Sequence, residues 1–193
     1  LNIILWYILI MENTKPWIAV AKKFFKISLA PVPHELNELD WKVDLSDKGT
    51  RVAEHISSFA NQNGGGFFVF GVDANAEILG IAKEYAIEII SRMSNIARDG
   101  LEPSQTVDHF LDTMQDKALL YIYIPESEEK PVHLKGKSIE YSYIRSGGQT
   151  RKMGKQEIGL AVLSSKDTKY EELEAIRCEK KEVLDCTSFG FQP

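Results

Sequence analysis

Phe59-Ala60-Asn61-Gln62-Asn63-Gly64-Gly65-Gly66-Phe67-Phe68-Val69-Phe70-Gly71-Val72-Asp73 reads as the end of a helix, a turn and a buried strand. Three glycines after an amphipathic segment supply the positive φ values that close a helix and turn the chain sharply into the next element. Phe67 to Val72 is a run of aromatic and β-branched side chains without polar alternation, the pattern of a strand covered on both faces. Asp73 is then delivered to the point where a buried strand surfaces.

Upstream, Thr50 to Asn63 carries a buried stripe at Val52, Ala53, Ile56, Phe59 and Ala60, one face of a helix. Before it, Glu38 to Leu45 alternates, with Leu39, Trp41, Val43 and Leu45 on one side and Glu38, Asp40, Lys42 and Asp44 on the other, a half-buried strand. Asp40 and Lys42 therefore project to the same side, where a carboxylate and an ammonium can share a metal or a phosphate. Earlier still, Trp17, Ile18, Val20, Ala21, Phe24 and Phe25 have helical spacing, and Pro16 suits a first turn.

Downstream, the apolar positions from Ala82 to Ala97 predict a second helix, ended by Gly100 at the C′ position. Ser104–Leu111 and Ala118–Ile124 read as strands. Pro131–Leu134 and Ser138–Arg145 read as a hairpin turning through Lys135-Gly136-Lys137. A glycine loop at Ser146–Thr150 leads into a helix from about Gly154 to Leu163, and a solvated helix is expected over Tyr170–Leu184, a candidate dimer or linker element. The fold class expected is α/β (α+β), a mixed, mostly antiparallel sheet with two to three packed helices. Residues 1–30 are expected to form an N-terminal extension and short helix, 31–165 the domain and 166–193 a charged tail.

The 193 residues suffice for one full-sized core. The apolar stretch Leu1–Ile10 is about half the length a spanning helix needs and lacks a basic region before it, so neither a membrane partner nor a signal peptide is expected. Met11 is a candidate natural start. Two cysteines, both in the charged tail, match no zinc spacing and fit a reducing, cytoplasmic compartment. The net charge of -5 hides a division. Lys130 to Lys155 holds seven Lys or Arg against one Glu, whereas Glu84 to Glu129 holds ten acids against three bases.

Hydrolysing a phosphodiester with a divalent metal needs carboxylates converging at strand ends and a nearby cation. Glu35, Asp40 and Asp73 are the candidate metal ligands for Mg2+ or Mn2+, with Lys42 completing a catalytic set; the competing reading of the same residues is a surface salt-bridge row. For nucleic-acid binding the candidates are Lys135, Lys137, Tyr143, Arg145, Arg151 and Lys152, which join planar rings and phosphate-seeking cations beside a glycine loop. Against this stands a sheet-packed tyrosine among solvated cations. Gly148 to Lys155 fails as a phosphate-binding P-loop, because its glycines are one residue too far apart and Gln156 stands where Ser or Thr is needed. The four histidines are scattered with no i, i+4 pair, and His55 reads as a boundary residue of its helix.

With these residues in view, the chain resembles the Schlafen-type AlbA domain, also described as a divergent AAA module and widespread in bacterial transcriptional regulators. The matching positions are Glu35 to Lys42, Ser58-Phe59-Ala60-Asn61 with Gly64-Gly65, Phe70-Gly71-Val72-Asp73, Gly80, Pro131-Val132 and Tyr143-Ile144-Arg145-Ser146-Gly147. The resemblance implies an α/β domain that binds DNA or RNA. In the Schlafen branch it implies a metal-dependent endoribonuclease whose carboxylates would map onto Glu35, Asp40 and Asp73. Two departures bear on that carry-over: Asp40 replaces the usual glutamate, and Ala74 stands where a second aspartate is frequent. A DNA-binding transcriptional regulator is the leading expectation, ahead of the ribonuclease and of a protein-interaction module acting as a homodimer.

Overall fold

The structure, a computed structural model, describes residues 15–165. The apolar opening segment and the helix expected over 170–184 lie outside the described residues.

In chain order the elements are α1 (Trp17–Leu29), β1 (Leu39–Lys42), α2 (Gly49–Ala60), β2 (Gly66–Phe70), α3 (Lys83–Asp99), β3 (Leu101–Glu102), β4 (Asp108–Met114), β5 (Lys117–Ile124), β6 (His133–Leu134), a 3-10 turn (Ile139–Tyr141), β7 (Tyr143–Ser146), β8 (Gln149–Lys152) and α4 (Lys155–Ser164). The main sheet runs β1-β2-β5-β4, with β1 parallel to β2 and the remaining pairs antiparallel. The fold is α+β, as expected, although four helices rather than two or three occur among the described residues. None of these helices is long and apolar enough to cross a membrane.

The two-sided burial read from Phe67–Phe70 is what the sheet shows. Because side chains alternate along a strand, Phe67 and Val69 join Leu39, Trp41 and Tyr121 under α1, which contributes Ile18, Ala21 and Phe25. Phe68 and Phe70 join Val52, Ile56, Phe59, Ile89 and Met93 under α2 and α3. Each such phenylalanine contributes about 2 kcal/mol through burial alone. Helix α1, expected as part of an appendage, is the cover of one sheet face.

The glycines between α2 and β2 act by two different means. Gly64 and Gly65 have φ of 76° and 72°, the left-handed values a tight reversal requires. Gly66 does not; a Cβ there would lie 1.8 Å from the Phe59 ring, so its role is to let β2 pass under the end of α2.

Two expectations need correction. The predicted hairpin through Lys135-Gly136-Lys137 does not form. Instead β6 pairs with β3, a 3-10 turn intervenes, and β7 pairs with β8 across Ser146-Gly147-Gly148-Gln149. The glycine loop is thus the hairpin turn, with φ of 59° and 76° at its centre. Second, β1 is not half-exposed. Asp40, placed on its polar face, is wholly buried, because α2 and the β7–β8 hairpin cover that face.

Candidate functional site

Asp40 points from β1 into a cluster of charge. One of its oxygens takes the Lys42 ammonium in a very short contact. The other accepts from His55 Nδ1 at 3.1 Å and from Arg145 Nη1 at 3.2 Å. Arg145 also donates to the Leu36 carbonyl at 3.2 Å and to Thr150 Oγ1 at 3.3 Å, and its guanidinium lies 5.0 Å from the Phe59 ring centre. Glu35 completes the group, with one oxygen 3.4 Å from Lys42 and the other 3.9 Å from Arg145.

The local sequence explains how Arg145 reaches this position. On α2, Ser57 Oγ donates to the Val132 carbonyl at 2.7 Å and accepts from Tyr143 N at 3.2 Å. One turn later, Asn61 Nδ2 donates to the carbonyls of Val132 and Tyr143 while its Oδ1 accepts from Val132 N. These buried bonds fasten β7 to the end of α2, so the residue two beyond Tyr143 points toward β1. Gly148 closes the other side. Its N–H donates to Asn37 Oδ1 at 2.9 Å, and a Cβ there would meet the Glu35 carbonyl oxygen at 2.8 Å.

Burial raises both carboxyl groups, but they end apart. For Asp40 the desolvation cost is outweighed by hydrogen bonds from His55 and Glu35 and by the charges of Lys42 and Arg145, which hold it well below the usual carboxylate range. Glu35 is pushed up to about 7 by desolvation, by its hydrogen bond to Asp40 and by the Asp40 charge, against the opposing pull of Lys42 and Arg145. Of the two, Glu35 is the group that takes up a proton first as pH falls.

Of the three carboxylates expected to bind a divalent cation, Asp40 and Glu35 lie in one cluster and Asp73 lies outside it. Both Asp40 oxygens are taken by cations or N–H donors. Asp73 is committed to its own turn, accepting from Asn75 N at 2.9 Å and Glu77 N at 2.7 Å, and it makes no bond to Asp40 or Glu35. Among the described residues no three His, Cys, Asp or Glu side chains group so as to hold a metal ion.

The predicted nucleic-acid residues divide. Arg145 is an internal ion-pair partner with a side chain 1% exposed, not a surface contact. Tyr143 is buried too, its hydroxyl donating to Glu54 Oε1 at 3.0 Å, and desolvation pushes its pKa up to about 12. Arg151 is exposed but forms a two-pronged pair with Glu157 at 2.6 and 2.8 Å, and that bond holds the Glu157 carboxyl down at about 2. Lys135, Lys137 and Lys152 are exposed as expected. Lys152 Nζ lies 3.8 Å and Lys137 Nζ 5.8 Å from the centre of the Tyr141 ring. Among the described residues, no carboxylate lies within ion-pair distance of Lys135, Lys137, Lys152 or Lys155.

A Schlafen AlbA_2 family model matches residues 35–154, more than half of the chain. The chain belongs to the Schlafen AlbA_2 family. In this family member, the matched segment begins at Glu35 and closes beyond β8, enclosing the charge cluster. The fold is also similar to that of the DIP2311 protein from Corynebacterium diphtheriae, with a TM-score of 0.50, 14% identity, 73% of this chain covered and 27% of that one. The N-terminal domain of a DNA helicase RecG-related protein from Nitrosomonas europaea aligns with a TM-score of 0.49 and 21% identity, over 69% of this chain and 92% of that one. This chain therefore spans about a quarter of the Corynebacterium protein. No curated protein matches in sequence.

Sequence reasoning missed His55, Thr150, Ser57 and Asn61 as members of the site. His55 and Thr150 are joined at 3.3 Å, and Ser58 Oγ lies 3.2 Å from Thr150. A periodicity reading places His55, Ser57 and Asn61 on the helix and leaves Thr150 in the glycine loop, and it does not reveal that the two share a polar seam.

Proposed function

We propose that the chain is a nucleic-acid-binding module of regulatory type that holds phosphates against the surface of Lys135, Lys137, Lys152 and Lys155. The observation that carries this reading is the Tyr141 ring with two lysine ammoniums drawn to it. Attraction between ammonium and ring limits where each side chain moves without neutralising it. Charges ordered in this way are suited to a polyanion. Family membership supports the same reading. DNA is the expected partner, in keeping with a transcriptional regulator, and RNA is the alternative.

The buried cluster serves as the frame. It ties the β7–β8 hairpin to β1, so that the lysines at the hairpin's end and on the preceding turn share one surface. The test is binding of a labelled oligonucleotide by the wild type and by the double variant Lys137→Ala with Lys152→Ala. Removing two phosphate contacts is expected to weaken binding roughly tenfold or more at physiological salt. Equal affinity of the two proteins would dismiss the reading.

A further inference from the structure

A cavity of about 550 Å³ opens beside the charge cluster, at the carboxyl ends of the parallel strands β1 and β2. The ends of parallel strands are where open α/β sheets place ligands, and this volume falls within the range of small-ligand sites. Its floor is Phe68 and Phe70, and the Tyr85 ring of α3 lines it as well. Tyr85 is itself positioned, its hydroxyl 3.5 Å from the backbone N–H of Leu45. Leu45 and Val52 add apolar lining, and the remainder, Glu88 included, is polar. Arg51 on α2 and Arg92 on α3 stand on the two helical walls, with Lys42 at the strand end and the carboxylates of Asp44 and Asp47 on the intervening loop.

This composition has a chemical meaning. The half-buried Tyr85 ring offers a wall for a flat ring; carboxylates at the mouth accept hydrogen bonds from exocyclic amines or sugar hydroxyls; the guanidinium groups on either wall, Arg51 3.4 Å from Glu54 and Arg92 3.8 Å from Glu88, hold phosphate when they exchange those carboxylates for it. Arg92 is held toward the mouth by donating to the Ser46 carbonyl at 3.2 Å. A chain of contacts leads from the cavity wall toward the Tyr141 turn. Arg51 lies 3.4 Å from Glu54 on the next turn of α2, Glu54 takes the Tyr143 hydroxyl, and Tyr143 lies two residues from Tyr141.

We propose that this cavity receives one unpaired nucleotide of a strand whose neighbouring phosphates lie on the Lys137 and Lys152 surface. The inference rests on the nucleic-acid reading above and adds to it a preference for single-stranded or looped segments over a continuous duplex. A base inside a helix cannot enter the cavity without leaving its stack.

The test compares a labelled strand of about twelve nucleotides, made as DNA and as RNA, with the same strand in a perfect duplex. The variants Ser46→Trp and Asp47→Trp each place a large ring on the exposed mouth loop without touching the core. For the wild type the single strand is expected to bind about tenfold more tightly than the duplex. Each tryptophan variant is expected to lose that advantage while its duplex affinity stays within about twofold of wild type. Equal wild-type affinity for strand and duplex would overturn the cavity inference and leave the lysine surface standing. So would tryptophan variants, folded by circular dichroism, that keep the full single-strand preference. Binding to neither form would overturn the nucleic-acid reading itself.

Discussion

Asp40 is wholly buried beside three cationic or N–H donors, and the energetics of such a group are lopsided. The assembled cluster need not add much to stability, but removing one partner strands an uncompensated charge and costs on the order of 3–5 kcal/mol. Arg145→Ala is therefore expected to lower thermal stability sharply, shifting the midpoint by about 10 °C or more, before any question of ligand arises. A shift of only a degree or two in calorimetry would show that the guanidinium is not needed inside. Lys152→Ala, by contrast, removes an exposed side chain and is expected to leave the midpoint within a few degrees. In a binding assay the same two substitutions are expected to exchange roles, Lys152→Ala weakening binding directly and Arg145→Ala only through the fold.

At the scale of elements, the hairpin β7–β8 is the piece on which the site turns, and Gly148 is its tightest point. It has a φ of 76°, and a Cβ there would press on the Glu35 carbonyl. Gly148→Ala is expected to cost about 1–3 kcal/mol, measured by urea unfolding, and to weaken binding through loss of hairpin position. This element was also the least legible from the sequence. Ser146-Gly147-Gly148 was readable as a glycine loop, but the strands flanking it are four residues long and carry polar side chains, so no periodicity marked β8. Lys135-Gly136-Lys137, with its central glycine, looked the better turn. By contrast α2 and α3 were legible because burial on one face imposes a strong period, and β2 because burial on both faces makes it a continuous apolar run. The Asp40 error has the same origin: alternation shows which side a residue faces, not whether another element covers that side. The polar seam of Ser57, Asn61, His55 and Thr150 stayed hidden because it joins residues far apart in sequence.

For the whole molecule, the raised pKa of Glu35 sets a pH dependence. Its pKa rises from an ordinary 4.5 to about 7 on folding, so folding favours the protonated form. The stabilising contribution is fully present below about pH 4.5 and is lost as pH rises through 7. Over that window the loss is on the order of 2 kcal/mol. Asp40 acts in the opposite sense, its contribution disappearing only as pH falls below the ordinary aspartate range. Glu35→Gln, which keeps a hydrogen-bond donor without the titration, is expected to flatten the decline in unfolding free energy between pH 5 and about 8; an unchanged slope would remove Glu35 as its source.

The proposed binding at the lysine surface belongs to the same scale, since it would depend on charges gathered from the turn after β6, from β8 and from the start of α4. The measurement that tests it most directly is the dissociation constant of a labelled oligonucleotide across salt from about 50 to 200 mM, for the wild type and for Lys137→Ala with Lys152→Ala. About four phosphate contacts predict a log–log slope near −3 to −4 for the wild type, reduced by about 2 in the double variant. Affinity that is independent of salt, or a slope that the two substitutions leave unchanged, would contradict the account.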